Sequence, residues 1–456
     1  MGNQTENKRG FSSTIGFLLS MAAFSIGIGN LWKFPYIVGA NGGGAFLIIY
    51  LLIVILVGIP GFLIELTLGR TSGLSPMRGM EKLEGKKTGW SAIGVLGCFA
   101  IFTICSYATM IVGGWTGNYI LNLITGSMKG MDSTAIANLF GATAGSNLTI
   151  FFSFLQAALL WLCLISGVKI GVEKVCSVLM PTLFVILVVL GVYSNTLPGA
   201  AEGLKWYLTP NLENVSMNTV SAAACQVFYS IGMGQCGAFV YGSYIDKKTN
   251  LTKSVAAGAA MDTFIAVLAG LVIVPALFSF GIEPTAGPSL VYITLPNLFN
   301  AMGSFGTVFG LLFMICVFFA GFTSILGGSE ALVATACDNR PGLNRKVAAT
   351  IVCAAELLFS IPFTLSFRGG FFAEFKALGL GFFDFFDFLA TAAMAVGVAV
   401  MLLYVLSRWK FYRLQQEANE GTTGKIRLYS WMKYYINYGY PVMLIIVFIC
   451  LVQMYF

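Results

Sequence analysis

Residues 10–32, 45–64, 148–168 and 434–456 each run for about twenty positions or more without a charged side chain. A helix rises about 1.5 Å per residue, so roughly 20 apolar residues cross a hydrocarbon core. In lipid every backbone N–H and C=O must find its partner inside the structure, which leaves a helix as the natural form for such a run. The rest of the chain repeats the pattern. Hydrophobic residues make up 57% and charged residues 10% of the 456 positions, and the mean hydropathy is +0.84, a balance that water would not keep folded as a soluble monomer. The expected fold is an all-α polytopic membrane protein. Eleven spans are placed near residues 14–38, 44–70, 90–125, 149–168, 173–196, 217–243, 253–281, 304–335, 345–366, 381–408 and 433–455. The first run is too long, and lacks the small-residue cleavage site, to be a removable signal.

Lysine and arginine placement orients these spans. With a cytoplasmic N-terminus, 21 of the 26 basic residues fall in inner loops or at inner ends, from Lys8 and Arg9 to Arg427 and Lys433. The outer side holds only Lys129, Lys205, Arg368 and Lys376, and Lys33 lies inside span 1. This is the positive-inside pattern of a multi-pass protein of the cell membrane. The net charge of +7 therefore reports topology and not nucleic-acid binding. The ten cysteines form no CxxC pair and the chain has no histidine, which removes the commonest metal ligand and the usual proton shuttle. Ions that bind here must be held by oxygen.

Two of the apolar segments contain material that suits an unbroken helix poorly: Ser25-Ile26-Gly27-Ile28-Gly29-Asn30 in span 1 and Ser230-Ile231-Gly232-Met233-Gly234 in span 6. Glycine alone is ordinary packing material in membrane helices, and Asn41-Gly42-Gly43-Gly44 reads equally well as a turn. The joint occurrence is the signal. Discontinuous helices facing each other near the bilayer midplane free carbonyls for a cation and N–H groups for an anion, the usual construction of a transporter's binding site. Asp262 and Glu65 lie deep in spans 7 and 2, and an ionisable group at that depth is costly enough to imply a role. For Glu65 that role is to accept hydrogen bonds from amides the breaks set free. Gly171 and Pro181 mark a fifth span whose inner end either unwinds or kinks for packing.

Residues 27–36, Gly-Ile-Gly-Asn-Leu-Trp-Lys-Phe-Pro-Tyr, followed by Asn41-Gly42-Gly43-Gly44-Ala45-Phe46, resemble the first-helix motif of the neurotransmitter:sodium symporter family. The likeness continues through Gln226-Val227-Phe228-Tyr229-Ser230, Tyr241-Gly242-Ser243-Tyr244, Asp262-Thr263, Phe319-Ala320-Gly321-Phe322-Thr323-Ser324 and Asp384-Phe385-Phe386-Asp387-Phe388. Eleven spans rather than twelve resembles the bacterial amino-acid branch. The resemblance implies a single transporter domain with a 5+5 inverted repeat. Residues 1–196 are its first half (spans 1 to 5), 197–408 its second (spans 6 to 10), and 409–456 a cytoplasmic loop with a peripheral eleventh span.

The same resemblance implies two sodium sites. One uses Ser25, Asn30, Ser230 and Asp262 with the substrate carboxylate, and the other uses carbonyls of Ala23, Ile26 and Ala320 with the hydroxyls of Thr323 and Ser324. Taken without the motif, those two hydroxyls would be expected to bond back to their own helix. A carboxylate at Asp262, with Ala266 where chloride-dependent relatives place a hydroxyl ligand, implies transport without chloride. Gly27 stands where monoamine carriers have an aspartate, so the ligand brings its own carboxylate. Ile28 and Gly29 would receive it, and carbonyls of Ser25, Tyr229 and Ser230 the ammonium. Gly232 and Gly328, with Gln235, suggest room for a large or aromatic neutral side chain. The third-span tyrosine that meets the carboxylate does not align cleanly. Counting back from Trp115 lands on Thr109, and Tyr107 requires a helix bulge. Gates are implied by Lys33 with Asp387 on the outer side, under a Tyr229 lid, and by Lys8 or Arg9 with Asp338 near Tyr244 on the inner side.

The expected activity is sodium-coupled symport of an amino acid into the cell by alternating access. A proton-coupled carrier or exchanger of the same architecture is the alternative. An enzyme is not expected: without histidine there is no Ser/His or Cys/His pair, and no phosphate-cradling loop precedes a helix.

Overall fold

In the computed structural model, which describes residues 10–283, 289–422 and 424–455, the described chain is helical apart from its connections and one isolated bridge between Ala377 and Leu380. Among the described residues, nine continuous helical stretches are long and apolar enough to cross a membrane. They are Gly44–Ser72, Gly89–Thr125, Asn147–Ile165, Val168–Asn195, Leu251–Ser279, Ser304–Asn339, Arg345–Leu365, Phe382–Trp409 and Met432–Tyr455, corresponding to spans 2 to 5 and 7 to 11. Span 1 is the pair Thr14–Ser25 and Ile28–Ala40, bent by 59° at its break. Span 6 is Met217–Ile231 and Gly237–Ser243, separated by five residues. The largest boundary difference from the sequence reading is at span 5, which begins at Val168 rather than near 173.

The apolar residues on the outside are as telling as those within. Phe151, Phe154, Val185, Val189, Ile445 and Ile449 are exposed on spans 4, 5 and 11, a surface that would drive a soluble protein to aggregate but that lipid covers. The charged and amide groups at this depth point the other way: Asn30, Glu65, Asp262 and Glu356 are buried among the helices. Short helices close the two faces. Ser133–Ala144 and Ala200–Leu208 lie on the face away from the N-terminus. Pro76–Glu84 and Phe411–Asn419 lie on the face that carries it, where buried Arg70 bonds Glu417 through Nε at 2.7 Å.

The N-terminal end of span 5 opens with a wide π-helical turn at Val168–Glu173. A side chain at Gly171 would run into the carbonyl of Cys163 on span 4. Close packing of two backbones therefore accounts for this glycine. The start of span 1 is tied to the same turn, since Glu173 accepts the Ser12 amide at 2.6 Å and its hydroxyl at 2.7 Å.

Candidate functional site

Span 1 stops at Ser25. Ile26 and Gly27 turn extended, with φ/ψ of −75°/98° and −113°/−173°, before the helix restarts at Ile28. The first N–H groups of a helix have no acceptor within it and sit at the positive end of its dipole, so Ile28 and Gly29 present amides suited to an anion. A Cβ built on Gly29 meets nothing within 4 Å. Span 6 breaks for a related reason: Gly232, Gly234 and Cys236 all take positive φ, at 71°, 77° and 59°, where an L side chain is strained. Glu65 satisfies the amides that this break releases, accepting from Gly234 at 3.0 Å and Phe239 at 3.4 Å, as expected from its depth in span 2. The Ser25 hydroxyl donates to the Ile231 carbonyl at 3.4 Å, so the two interruptions face each other.

Three of the groups expected at the first sodium site meet at this junction. Asn30 Nδ2 donates to Asp262 Oδ1 at 2.8 Å, and Ser230 Oγ donates to Asp262 Oδ2 at 2.6 Å. Asn30 Oδ1 lies 3.4 Å from Ser230 Oγ and 3.4 Å from the Gly27 amide. The result is a buried knot of oxygen donors with one carboxylate, a chemistry that fits a hard monovalent cation. For the second set, Ser324 Oγ donates to the Phe24 carbonyl at 3.1 Å and so joins span 8 to span 1. Thr323 bonds back to the carbonyls of Phe319 at 2.9 Å and Ala320 at 3.2 Å. Its hydroxyl oxygen thus lies beside the Ala320 carbonyl with which it was grouped. Ala23 and Ile26 are buried on span 1.

A cavity of about 360 Å³ opens beside this knot. Its wall includes every residue expected to meet substrate: Ser25, Gly27, Ile28, Gly29, Tyr107, Tyr229, Ser230, Gly232, Gln235, Ser324 and Gly328. Tyr107 lines it, and span 3 carries a π-helical turn at Met110–Trp115 between that residue and Trp115, a bulge that a straight count cannot see. Thr109 is buried with its hydroxyl on the Cys105 carbonyl at 2.9 Å and does not line the cavity. The wall that sequence reasoning missed comes from span 3, with Ile101, Ile104, Cys105, Ala108 and Ile111, and from Phe383 on span 10. Apolar side chains on a mostly apolar helix carry no mark of their own that separates cavity wall from lipid face.

Two expectations need correction. The glycines at 232 and 328 do not provide empty space: a Cβ on Gly232 would sit 2.9 Å from Phe24, and one on Gly328 2.7 Å from Cys105 Sγ and 3.0 Å from Ile101. They let helices approach, and room for a large ligand rests on the cavity itself. The direct contact between Lys33 and Asp387 is also not formed. Asp387 is already engaged by phenol hydroxyls, from Tyr107 at 2.9 Å, Tyr229 at 3.2 Å and Tyr455 at 2.5 Å. The Lys33 ammonium lies instead over the Tyr229 ring, 5.3 Å from its centroid. A lysine is a point charge on a flexible stem, without the fork that would hold a carboxylate from two sides.

On the N-terminal face Asp338 accepts the Ser75 amide at 2.8 Å, and Lys8 and Arg9 lie outside the described residues. Tyr244 donates to Glu330 at 2.9 Å, and Arg345 holds the same carboxylate through both terminal nitrogens, Nη1 at 3.0 Å. The Glu330–Arg345 pair was not anticipated, since an acid and a base 15 residues apart on consecutive helices leave no periodic signal. Ser329, next along span 8, donates to buried Glu356 at 2.8 Å.

Broken helices facing each other around a buried polar cavity, inside a bundle of membrane spans, define a secondary transporter. The profile described as the sodium:neurotransmitter symporter family matches residues 8–138 and 146–456, and the chain belongs to that family. It is 33% identical to the uncharacterized sodium-dependent transporter YhdH of Bacillus subtilis, covering 97% of both chains. It is 29% identical to the sodium-dependent transporter MJ1319 of Methanocaldococcus jannaschii, over 96% of this chain and 89% of that one. Among solved structures, MhsT in complex with L-phenylalanine superposes with a TM-score of 0.85 at 31% identity, over 97% of this chain and all of that one. The chain is therefore a multi-pass, sodium-dependent transporter and not an enzyme.

Proposed function

We propose that this protein carries a neutral L-amino acid with a large or aromatic side chain into the cell, coupled to sodium at two sites and independent of chloride. The observation that carries the reading is the junction of Asn30, Ser230 and Asp262 at the rim of a cavity onto which the Ile28 and Gly29 helix start opens. A zwitterion fits that arrangement: its carboxylate meets the amides and the first sodium, and its ammonium meets carbonyls at the ends of the broken helices. The apolar wall from Ile101 to Ile111 then takes the side chain. MhsT binds L-phenylalanine in the fold this chain shares, which supports the substrate class. The Asp262 carboxylate supplies a fixed negative charge beside the ion, the part an added anion would otherwise play. The second sodium would lie among the carbonyls of Ala23, Ile26 and Ala320 and the hydroxyls of Thr323 and Ser324. The basic residues on one face support a cytoplasmic N-terminus in the plasma membrane.

The test is uptake of labelled amino acids into proteoliposomes under a sodium gradient and, separately, a proton gradient. Accumulation of phenylalanine, tryptophan or leucine that requires sodium and survives replacement of chloride by gluconate is the expected result. Accumulation driven by protons without sodium would move the reading to a proton-coupled carrier. Preference for glycine or alanine would overturn the substrate class.

A further inference from the structure

We propose that the last turn of span 11 is part of the gate, with Tyr455 as a positioning residue that holds Asp387 away from Lys33. Span 11 packs on the outside of the bundle and shows much of its surface to lipid, yet its end leans over the mouth of the cavity. Tyr455 donates to Asp387 Oδ2 at 2.5 Å, and its oxygen lies 2.7 Å from the Tyr229 hydroxyl and 3.1 Å from that of Thr391. One residue earlier, Met454 Sδ is 3.9 Å from Lys33 Nζ. Both charged residues of the gate are therefore touched by adjacent side chains of a helix outside the repeat.

A carboxylate has about four acceptor positions. At Asp387 three phenols share them, and one of the three, Tyr455, comes from a helix with no residue in the cavity wall. Phenol and ammonium both make charge-assisted bonds to a carboxylate, but the ammonium adds the attraction of an opposite charge, so Lys33 displaces a phenol when it can reach. Tyr455 sets how readily that exchange occurs. With the hydroxyl present, Asp387 is satisfied while the cavity is open. Without it, the acid is under-satisfied and draws Lys33 across the opening.

The experiment reads accessibility rather than transport, so it stands whether or not the substrate reading holds. Ala108→Cys places a reporter in the cavity wall. Mixed-disulfide formation at position 108 with a membrane-impermeant methanethiosulfonate, methanesulfinate leaving, is followed by peptide mass spectrometry under non-reducing conditions, on intact cells in sodium without amino acid. Lys129→Cys on an exposed loop reports sidedness; if it is not labelled, the same comparison is run on inverted vesicles. Tyr455→Phe keeps the ring and is expected to slow labelling at 108 at least threefold, and Lys33→Gln in the same chain is expected to abolish that difference. An unchanged or faster rate overturns the proposal. So does slowing that persists in the Lys33→Gln background, which would mean the tyrosine acts through packing.

Discussion

Replacing Asp262 with asparagine removes one charge from the junction and leaves its volume almost unchanged. The carboxylate accepts from Asn30 Nδ2 through one oxygen and from Ser230 through the other. An amide has a single oxygen, so one of these donors loses its partner, and Asn30 cannot rotate to compensate without withdrawing Oδ1 from the ion. The electrostatic part is larger. A unit charge about 4 Å from sodium is worth about 4 kcal/mol at an effective dielectric of 20, and relief of the buried carboxylate's desolvation offsets part of that. A net loss of roughly 2 kcal/mol corresponds to about a thirtyfold rise in the sodium concentration for half-maximal uptake. The assay is sodium activation of labelled phenylalanine uptake in proteoliposomes, in chloride and in gluconate. Native protein should respond identically in both salts. The double variant Asp262→Asn, Ala266→Ser, which restores a hydroxyl one turn on, should become chloride-dependent. A sodium shift below about threefold in Asp262→Asn, or collapse of native uptake in gluconate, would refute the reasoning.

Three other substitutions probe the surrounding structure. Gly328→Ala forces a methyl against Cys105 and Ile101, an overpacking cost of about 1–3 kcal/mol. It should lower the unfolding temperature and the uptake of all substrates alike, with recovery by Cys105→Ala; selective loss of the bulkiest substrates would instead restore the idea that this glycine makes room for them. Glu65→Gln weakens the hold on the Gly234 and Phe239 amides by roughly 1–3 kcal/mol, which a thermal melt in detergent would show as a lower midpoint. Arg345→Gln strands buried Glu330, whose side chain is fully inaccessible while that of Arg345 is 30% exposed. Losing the partner of a fully buried charge costs about 3–5 kcal/mol, and solvent around the arginine reduces this to roughly half. Adding Glu330→Gln should recover much of it, and failure to recover would show that the pair contributes little.

The parts of this molecule that were legible in its sequence are those where lipid removes alternatives. A charge-free run has to be a helix because nothing else satisfies its backbone, and the spans therefore lie close to their expected limits. The breaks at residues 26–27 and 232–236 were visible because glycine and asparagine are unlike their apolar surroundings. Asp262 and Glu65 stood out for the same reason, and each has the partners its depth required. The wall formed by Ile101, Ile104 and Ile111 was not visible, because isoleucine against a ligand and isoleucine against lipid are the same letter.

Contacts that depend on small departures from ideal geometry were hidden for another reason. A π-turn inserts one residue into the helical count, shifting every side chain beyond it by about 100° around the axis. The turn at Met110–Trp115 thus breaks the straight count back from Trp115 that had landed on Thr109, although one inserted residue alone does not span the two positions to Tyr107, which is the residue that lines the cavity. The proposed gate at Lys33 and Asp387 depends on a similar accident of position. Lys33 and Asp387 were matched as a pair by motif, yet whether they touch is decided by which hydroxyls reach Asp387 first. One of these comes from Tyr455, 68 positions away on a helix outside the repeat. Opposite charges placed near each other pair only when the bond they form is better than the bonds they must give up, and here three phenols hold the acid while an aromatic ring holds the base. A gate built this way, as proposed above, would close by exchanging partners, so its balance would be set as much by the neutral donors around Asp387 as by the two charges themselves.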